Sequence, residues 1–184
     1  MCEIQNIREW YNGVRFRSRL EAKWAVFWDA LGVRYFYEYE GFELPSGRYV
    51  PDFWLPHLEI WVEIKPNEPT DNARSKARDL LSATDKPVLL YWDEVIDPLE
   101  LGRSPRSTMF WYVKGLSEEE PEALCLYDED WWAWQECVNC GQIGVGYSYN
   151  DGNKIRSCHC NCVLSEYSDR LKAAYRQAQN YSFW

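Results

Sequence analysis

The chain has 184 residues, 46% of them hydrophobic, with 11 Trp, 13 Tyr and 7 Phe, which is enough to bury one core and too apolar for a disordered chain. No run of about 18 uncharged apolar residues occurs and the first ten residues lack a signal-like apolar stretch, so the sequence reads as a soluble, cytoplasmic protein without a membrane partner. A net charge of −9 argues against a uniformly basic nucleic-acid binder, but the excess is local: residues 93–136 carry −9, whereas 1–65 carry −2, 66–92 balance and 137–184 carry +2. That leaves a basic groove possible elsewhere, and makes the acidic stretch around Glu118-Glu119-Glu120 a candidate for a basic protein partner or for mimicry of nucleic acid.

In chain order, Leu20, Trp24, Phe27, Trp28 and Leu31 form the stripe of an amphipathic helix over Ser18 to Leu31, with Gly32 suited to end it. Val33 to Leu44 is rich in aromatics and predicts a strand, and Pro45-Ser46-Gly47 a turn before a second strand, Tyr49 to Leu55. A turn near Pro56 and His57 leads to a third strand, Ile60 to Lys65. Thr70 to Ser82 predicts a helix behind a polar start, and Pro87 to Trp92 a buried strand. The order is α-β-β-β-α-β. Beyond it, strands are expected at Met109 to Val113 and Ala123 to Tyr127, and Leu164, Tyr167, Leu171, Ala174, Tyr175 and Ala178 mark a closing amphipathic helix.

If the second and third strands turn through a four-residue loop, Pro56 to Glu59, residues whose numbers sum to 115 face each other. Asp52 then stands opposite Glu63, Trp54 opposite Trp61 and Val50 opposite Lys65, all on one face. A two-residue loop at 56–57 would instead leave Glu63 one diagonal step from Asp52. In either register two carboxylates and a lysine converge, since Glu63 and Lys65 are two apart on one strand. Two carboxylates side by side repel and lose hydration, so a hard divalent cation, Mg²⁺ or Mn²⁺, is their natural complement.

These residues resemble the PD-(D/E)xK nuclease superfamily of restriction endonucleases, junction resolvases and repair nucleases. The match is Pro51-Asp52, ten intervening residues, then Glu63-Ile64-Lys65, within residues 14–92. The resemblance implies a mixed α/β fold with a restriction-endonuclease-like αβββαβ core, Asp52 and Glu63 as metal ligands and Lys65 as catalytic lysine. It also implies a catalytic role for Glu21, on the helix before the first core strand. Glu21 lies three residues after Ser18, however, which is the spacing of a capping box, so two roles compete for one carboxylate. Arg17, Arg19 and Lys23 near the first helix start, and Lys76 on the second helix, are candidate contacts to backbone phosphates, with Arg15, Arg74 and Arg78 nearby. His57 reads as a solvated turn residue.

Cys137-Val138-Asn139-Cys140-Gly141 and, 17 residues on, Cys158-His159-Cys160-Asn161-Cys162 have the spacing of a structural zinc site. Cys137 and Cys140 are the first pair. Cys158 and Cys160 are the preferred second pair, with Cys162 and His159 as substitutes, in a unit that resembles a zinc ribbon or treble-clef finger. Three regions are expected: a nuclease-like core over 1–110, an acidic aromatic extension over 111–136, and a zinc-binding unit with its helix over 137–184. The expected activity is metal-dependent endonucleolytic hydrolysis of DNA, as a monomer or homodimer. The alternatives are a non-catalytic nuclease-fold protein that engages a basic partner, and a zinc-stabilised DNA-binding module.

Overall fold

The computed structural model describes residues 8–92, 94–96, 109–112, 123–125, 132–147, 154–156, 164–165 and 168–183. The fold is mixed α/β. It opens with a hairpin, β1 (Glu9–Tyr11) and β2 (Val14–Phe16), followed by α1 (Arg19–Ala30). Ser18 caps α1, its side chain accepting from Glu21 N, and Gly32 at φ 65° turns the chain out of it. The strand anticipated over Val33 to Leu44 is instead two short pieces, β3 (Phe36–Tyr37) and β4 (Phe42–Leu44), and the next is divided into β5 (Gly47–Tyr49) and β6 (Phe53–Leu55). Pro51 sits at that second break. Lacking an N–H, it cannot continue a ladder.

β7 (Ile60–Lys65), α2 (Asp71–Thr84) and β8 (Val88–Trp92) form a crossover unit, with β7 and β8 parallel. The main sheet has the order β10-β9-β8-β7-β6-β3, where β9 is Met109–Tyr112 and β10 Ala123–Cys125. Alternation sorts its two faces. Ile60, Val62, Ile64, Leu89 and Tyr91 pack in one cluster with α1, whereas Trp61, Val88, Leu90 and Trp92 pack with Ala77, Leu80 and Leu81 of α2. Covered on both sides, β7 and β8 are nearly continuous apolar runs, as buried parallel strands require.

A second sheet, β13-β12-β11-β14, comprises β11 (Trp132–Cys137), β12 (Ile143–Tyr147), β13 (Lys154–Arg156) and β14 (Leu164–Ser165), with α3 (Asp169–Asn180) following. Leu164 thus belongs to a strand rather than to the closing helix. Trp134, Ile143, Val145, Leu171, Ala174, Tyr175 and Ala178 join the α1 cluster, and the Phe27 ring lies 4.5 Å from that of Tyr175. α1 is therefore wrapped on opposite sides, which explains why six of its twelve residues besides Glu21 are buried apolar side chains. One arginine joins three elements here: Arg170 donates to the Leu31 carbonyl, to the Gly141 carbonyl at 2.8 Å and to Glu136 at 3.0 Å. Among the described residues, no helix is long and apolar enough to cross a membrane.

Candidate active site

The β6–β7 hairpin has the register Phe53↔Val62, Trp54↔Trp61, Leu55↔Ile60, so residue numbers sum to 115 and the loop is Pro56 to Glu59. The two indoles meet at 4.5 Å between centroids. His57 is exposed in this turn. The backbone ladder stops at Phe53, short of the anticipated Val50–Lys65 pairing, and side chains take over. Ile64 N donates to Asp52 Oδ2 at 2.7 Å, and Asp52 N donates to Glu63 Oε2 at 3.2 Å. Each acid thus accepts the N–H that a ladder would have used, which locks the two carboxylates together at the strand end.

Both acids are buried, with 5% of each residue exposed. Tyr49 OH donates to Glu63 Oε2 at 2.8 Å, and Lys65 Nζ pairs with Glu63 Oε1. Among the described residues, Asp52 Oδ1 has only the half-exposed guanidinium of Arg17, at 3.7 Å, which also pairs with Glu38. Burial, then the neighbouring charges of Glu63 and Glu21, push the Asp52 carboxyl well above its ordinary pKa, with Lys65 and the Ile64 N–H pulling the other way. Burial works against the Lys65 charge, but the attraction of Glu63 and Asp52 outweighs it and holds the ammonium above its usual value. Burial and the same two carboxylates keep Tyr49 protonated, and therefore a donor.

Glu21 is occupied at both oxygens. Ser18 Oγ donates to Oε1 at 2.7 Å, and Tyr37 OH and Arg17 N donate to Oε2 at 2.6 and 3.1 Å. Ser18 Oγ accepts from Glu21 N at 3.1 Å, so this is a variant of the capping box in which Glu21 reaches the Arg17 rather than the Ser18 N–H, and it fixes the start of α1 beside the Asp52–Glu63 pair.

The pair opens into a groove of about 1030 Å³. Its walls carry Arg17, Arg19, Lys23, Arg48, Lys65 and Lys76 against the acids Glu21, Asp52, Glu63 and Glu94. Of the seven cations weighed for phosphate contact, Arg17, Arg19, Lys23 and Lys76 line it and Arg15, Arg74 and Arg78 do not. Arg19 is tied to Glu9 at 2.7 Å, and the Lys76 ammonium stands 5.7 Å from the Tyr49 ring centroid. Tyr37 and Tyr49 belong to no motif, and only the requirement that buried carboxylates find donors could have singled them out from sequence.

Among the described residues, no three Asp, Glu, His or Cys side chains converge at metal-ligand spacing. A cation at Asp52 and Glu63 would therefore have two carboxylate side chains from the protein. That matches Mg²⁺, which takes one or two carboxylates and keeps several waters. Asp52 Oδ1 offers such an ion a lone pair, and Glu63 Oε1, now paired with Lys65, a second, while Tyr49 and Asp52 N take up Glu63 Oε2.

At the cysteine unit, Cys140 N donates to Cys137 Sγ at 3.4 Å, and Gly141, at φ 72°, closes the knuckle by donating to the Cys137 carbonyl at 2.8 Å. Cys137 is buried and Cys140 exposed. Cys158, His159, Cys160 and Cys162 lie outside the described residues, as does the Glu118 to Glu120 cluster. Comparisons with protein-family models, with curated proteins and with solved structures give no match.

Proposed function

We propose that this chain is a metal-dependent endonuclease that hydrolyses phosphodiester bonds of DNA, built on a core of the PD-(D/E)xK type. The observation that carries the reading is the interlocked, buried Asp52–Glu63 pair with Lys65 beside it, at the base of a groove walled by cations. Lys65 and the half-exposed Arg17 only partly offset the buried acid pair, and a divalent ion together with a phosphate would supply the remaining charge balance. Asp52 and Glu63 are the residues that would hold Mg²⁺ or Mn²⁺, which when bound would polarise the phosphate and acidify its water.

The remaining roles belong to the protein. Tyr49 and Asp52 N orient Glu63, and Ile64 N orients Asp52. Lys65, beside Glu63, is placed to act as an electrostatic partner for the phosphate oxygens. Arg17, Lys23 and Lys76 grip the backbone without reading sequence. Glu21 serves by anchoring the start of α1 and the Arg17 backbone. Cys137 and Cys140, with two ligands from Cys158, Cys160, Cys162 and His159, form a structural zinc site; four protein ligands leave no open position for catalysis there.

Supercoiled plasmid is the direct test. The protein should nick it with Mg²⁺ or Mn²⁺ and not with chelator, and Asp52→Asn, Glu63→Gln and Lys65→Met, each shown to be folded by circular dichroism, should each lose about 100-fold or more of the rate. Nicking that survives all three substitutions would exclude this site. A folded wild-type protein that binds DNA without cutting it under any divalent ion would favour the non-catalytic alternative.

A further inference from the structure

The N-terminal hairpin has two unlike faces. Asn12 and Gly13, at φ 49° and 79°, form its two-residue turn and set the register Glu9↔Phe16, Trp10↔Arg15, Tyr11↔Val14. The inner face is fastened at three points. Arg19 holds the buried Glu9 through two bonds of 2.9 and 2.7 Å. Phe16, fully buried, lies against Tyr37 and Phe53, and Tyr11 meets Tyr181 edge-on at 5.2 Å.

The outer face carries Trp10, 64% exposed, and its exposed cross-strand neighbour Arg15. Arg8, two residues before Trp10, is exposed as well. Arg17, two residues after Arg15 and at most about 7 Å along the chain, is on the groove wall. A single exposed aromatic is ordinary on a protein surface. A tryptophan on a hairpin clamped from behind, flanked by arginines and leading into a cationic groove, is a combination suited to a nucleic-acid strand: guanidinium groups for phosphates and a flat ring for a base. In a continuous duplex both faces of each base are covered by its neighbours, so only an unpaired base can offer a face to the indole.

We propose that Trp10 is a stacking platform for an unpaired nucleobase of a strand whose backbone is held by Arg15 and Arg17. The preferred substrate is then DNA with a single-stranded segment beside the cleaved bond. The cleavage part of this inference rests on the nuclease reading; the binding part does not.

The test is fluorescence anisotropy of labelled DNA in chelator, with the full chain, comparing a duplex that carries a single-stranded tail with a blunt duplex. Trp10→Ala should weaken binding to the tailed duplex about 5- to 150-fold, as expected for loss of one stacked base. Trp10→Phe should retain most of the affinity, and the blunt duplex should respond to neither change. Equal affinity of Trp10→Ala and wild type for the tail, an equal loss on both DNAs, or no binding of either DNA would overturn the platform. So would a Trp10→Ala protein that binds both DNAs normally but changes mass in sedimentation, which would assign the ring to a contact between copies. Trp10-dependent binding without cutting in Mg²⁺ would support the platform and remove the nuclease reading.

Discussion

At the scale of single residues, Asp52 is the most informative side chain. Its carboxyl is held above the ordinary value by burial and by Glu63 and Glu21. In chelator the folded state therefore keeps this proton to a higher pH than the unfolded chain does. Above the ordinary carboxylate value, about 3.9, the folded state binds more protons than the unfolded one, so this group lowers stability as pH rises towards its folded value. Asp52→Asn, which keeps the acceptor for Ile64 N, should remove that loss. The melting temperature of the variant should gain on wild type as pH increases from about 4. Added Mg²⁺ should then stabilise wild type in the upper part of the range and leave the variant unmoved. Parallel profiles for the two proteins in chelator would show that Asp52 is not so perturbed.

At the scale of elements, α1, α2 and β8 were legible from the sequence because each carries a complete local signal. Ser18 and Thr70 cap, Gly32 terminates, and Val88 to Trp92 is uninterrupted. The β6–β7 hairpin was legible for the same reason, but the sequence left its loop at four or two residues, and the structure takes the four-residue loop, Pro56 to Glu59. The pieces β3, β4 and β5 were not, because composition marks a strand-prone stretch but not which partner each part will find. Phe36–Tyr37 pairs with β6, while Phe42–Leu44 pairs with Gly47–Tyr49. The β1–β2 hairpin was missed although Asn12-Gly13 is a strong turn signal. Elsewhere the aromatic packing leaves polar atoms without partners. Among the described residues, the indole N–H groups of Trp24, Trp28 and Trp61 are buried without hydrogen bonds, and the Tyr91 hydroxyl on β8 has only the nearby Trp134 indole N–H, outside good hydrogen-bond geometry. Tyr91→Phe should therefore be neutral or should stabilise by up to about 1 kcal/mol in urea unfolding, where a core substitution ordinarily costs that much. A clear loss would mean that the hydroxyl has a partner, such as a bound water.

At the scale of the molecule, the groove is assembled by α1, the β5–β7 segment and α2, but α1 itself is finished by residues far away. Trp134 and Tyr175 cover Phe27, and Arg170 holds the Leu31 carbonyl. That packing could not be read from the sequence, where the cysteine unit looked separable, because an amphipathic stripe does not name its partner. A chain ending after residue 131 should expose Phe27, which loses Trp134 and Tyr175, and one side of Trp28, whose contacts with Tyr35 and Phe53 remain. It should bind a hydrophobic dye, lose near-ultraviolet circular dichroism and unfold without a sharp transition. A cooperative melt in that truncated chain would show that the first part folds alone.

The bond from Arg170 to Leu31 spans 139 residues of sequence. During synthesis the Asp52, Glu63 and Lys65 side chains emerge from the ribosome long before the helix beside them is covered. A nascent or prematurely released chain thus holds every residue of the proposed site without the scaffold that aligns them. If the chain cuts DNA as proposed, such a fold delays competence until translation has passed the last helix.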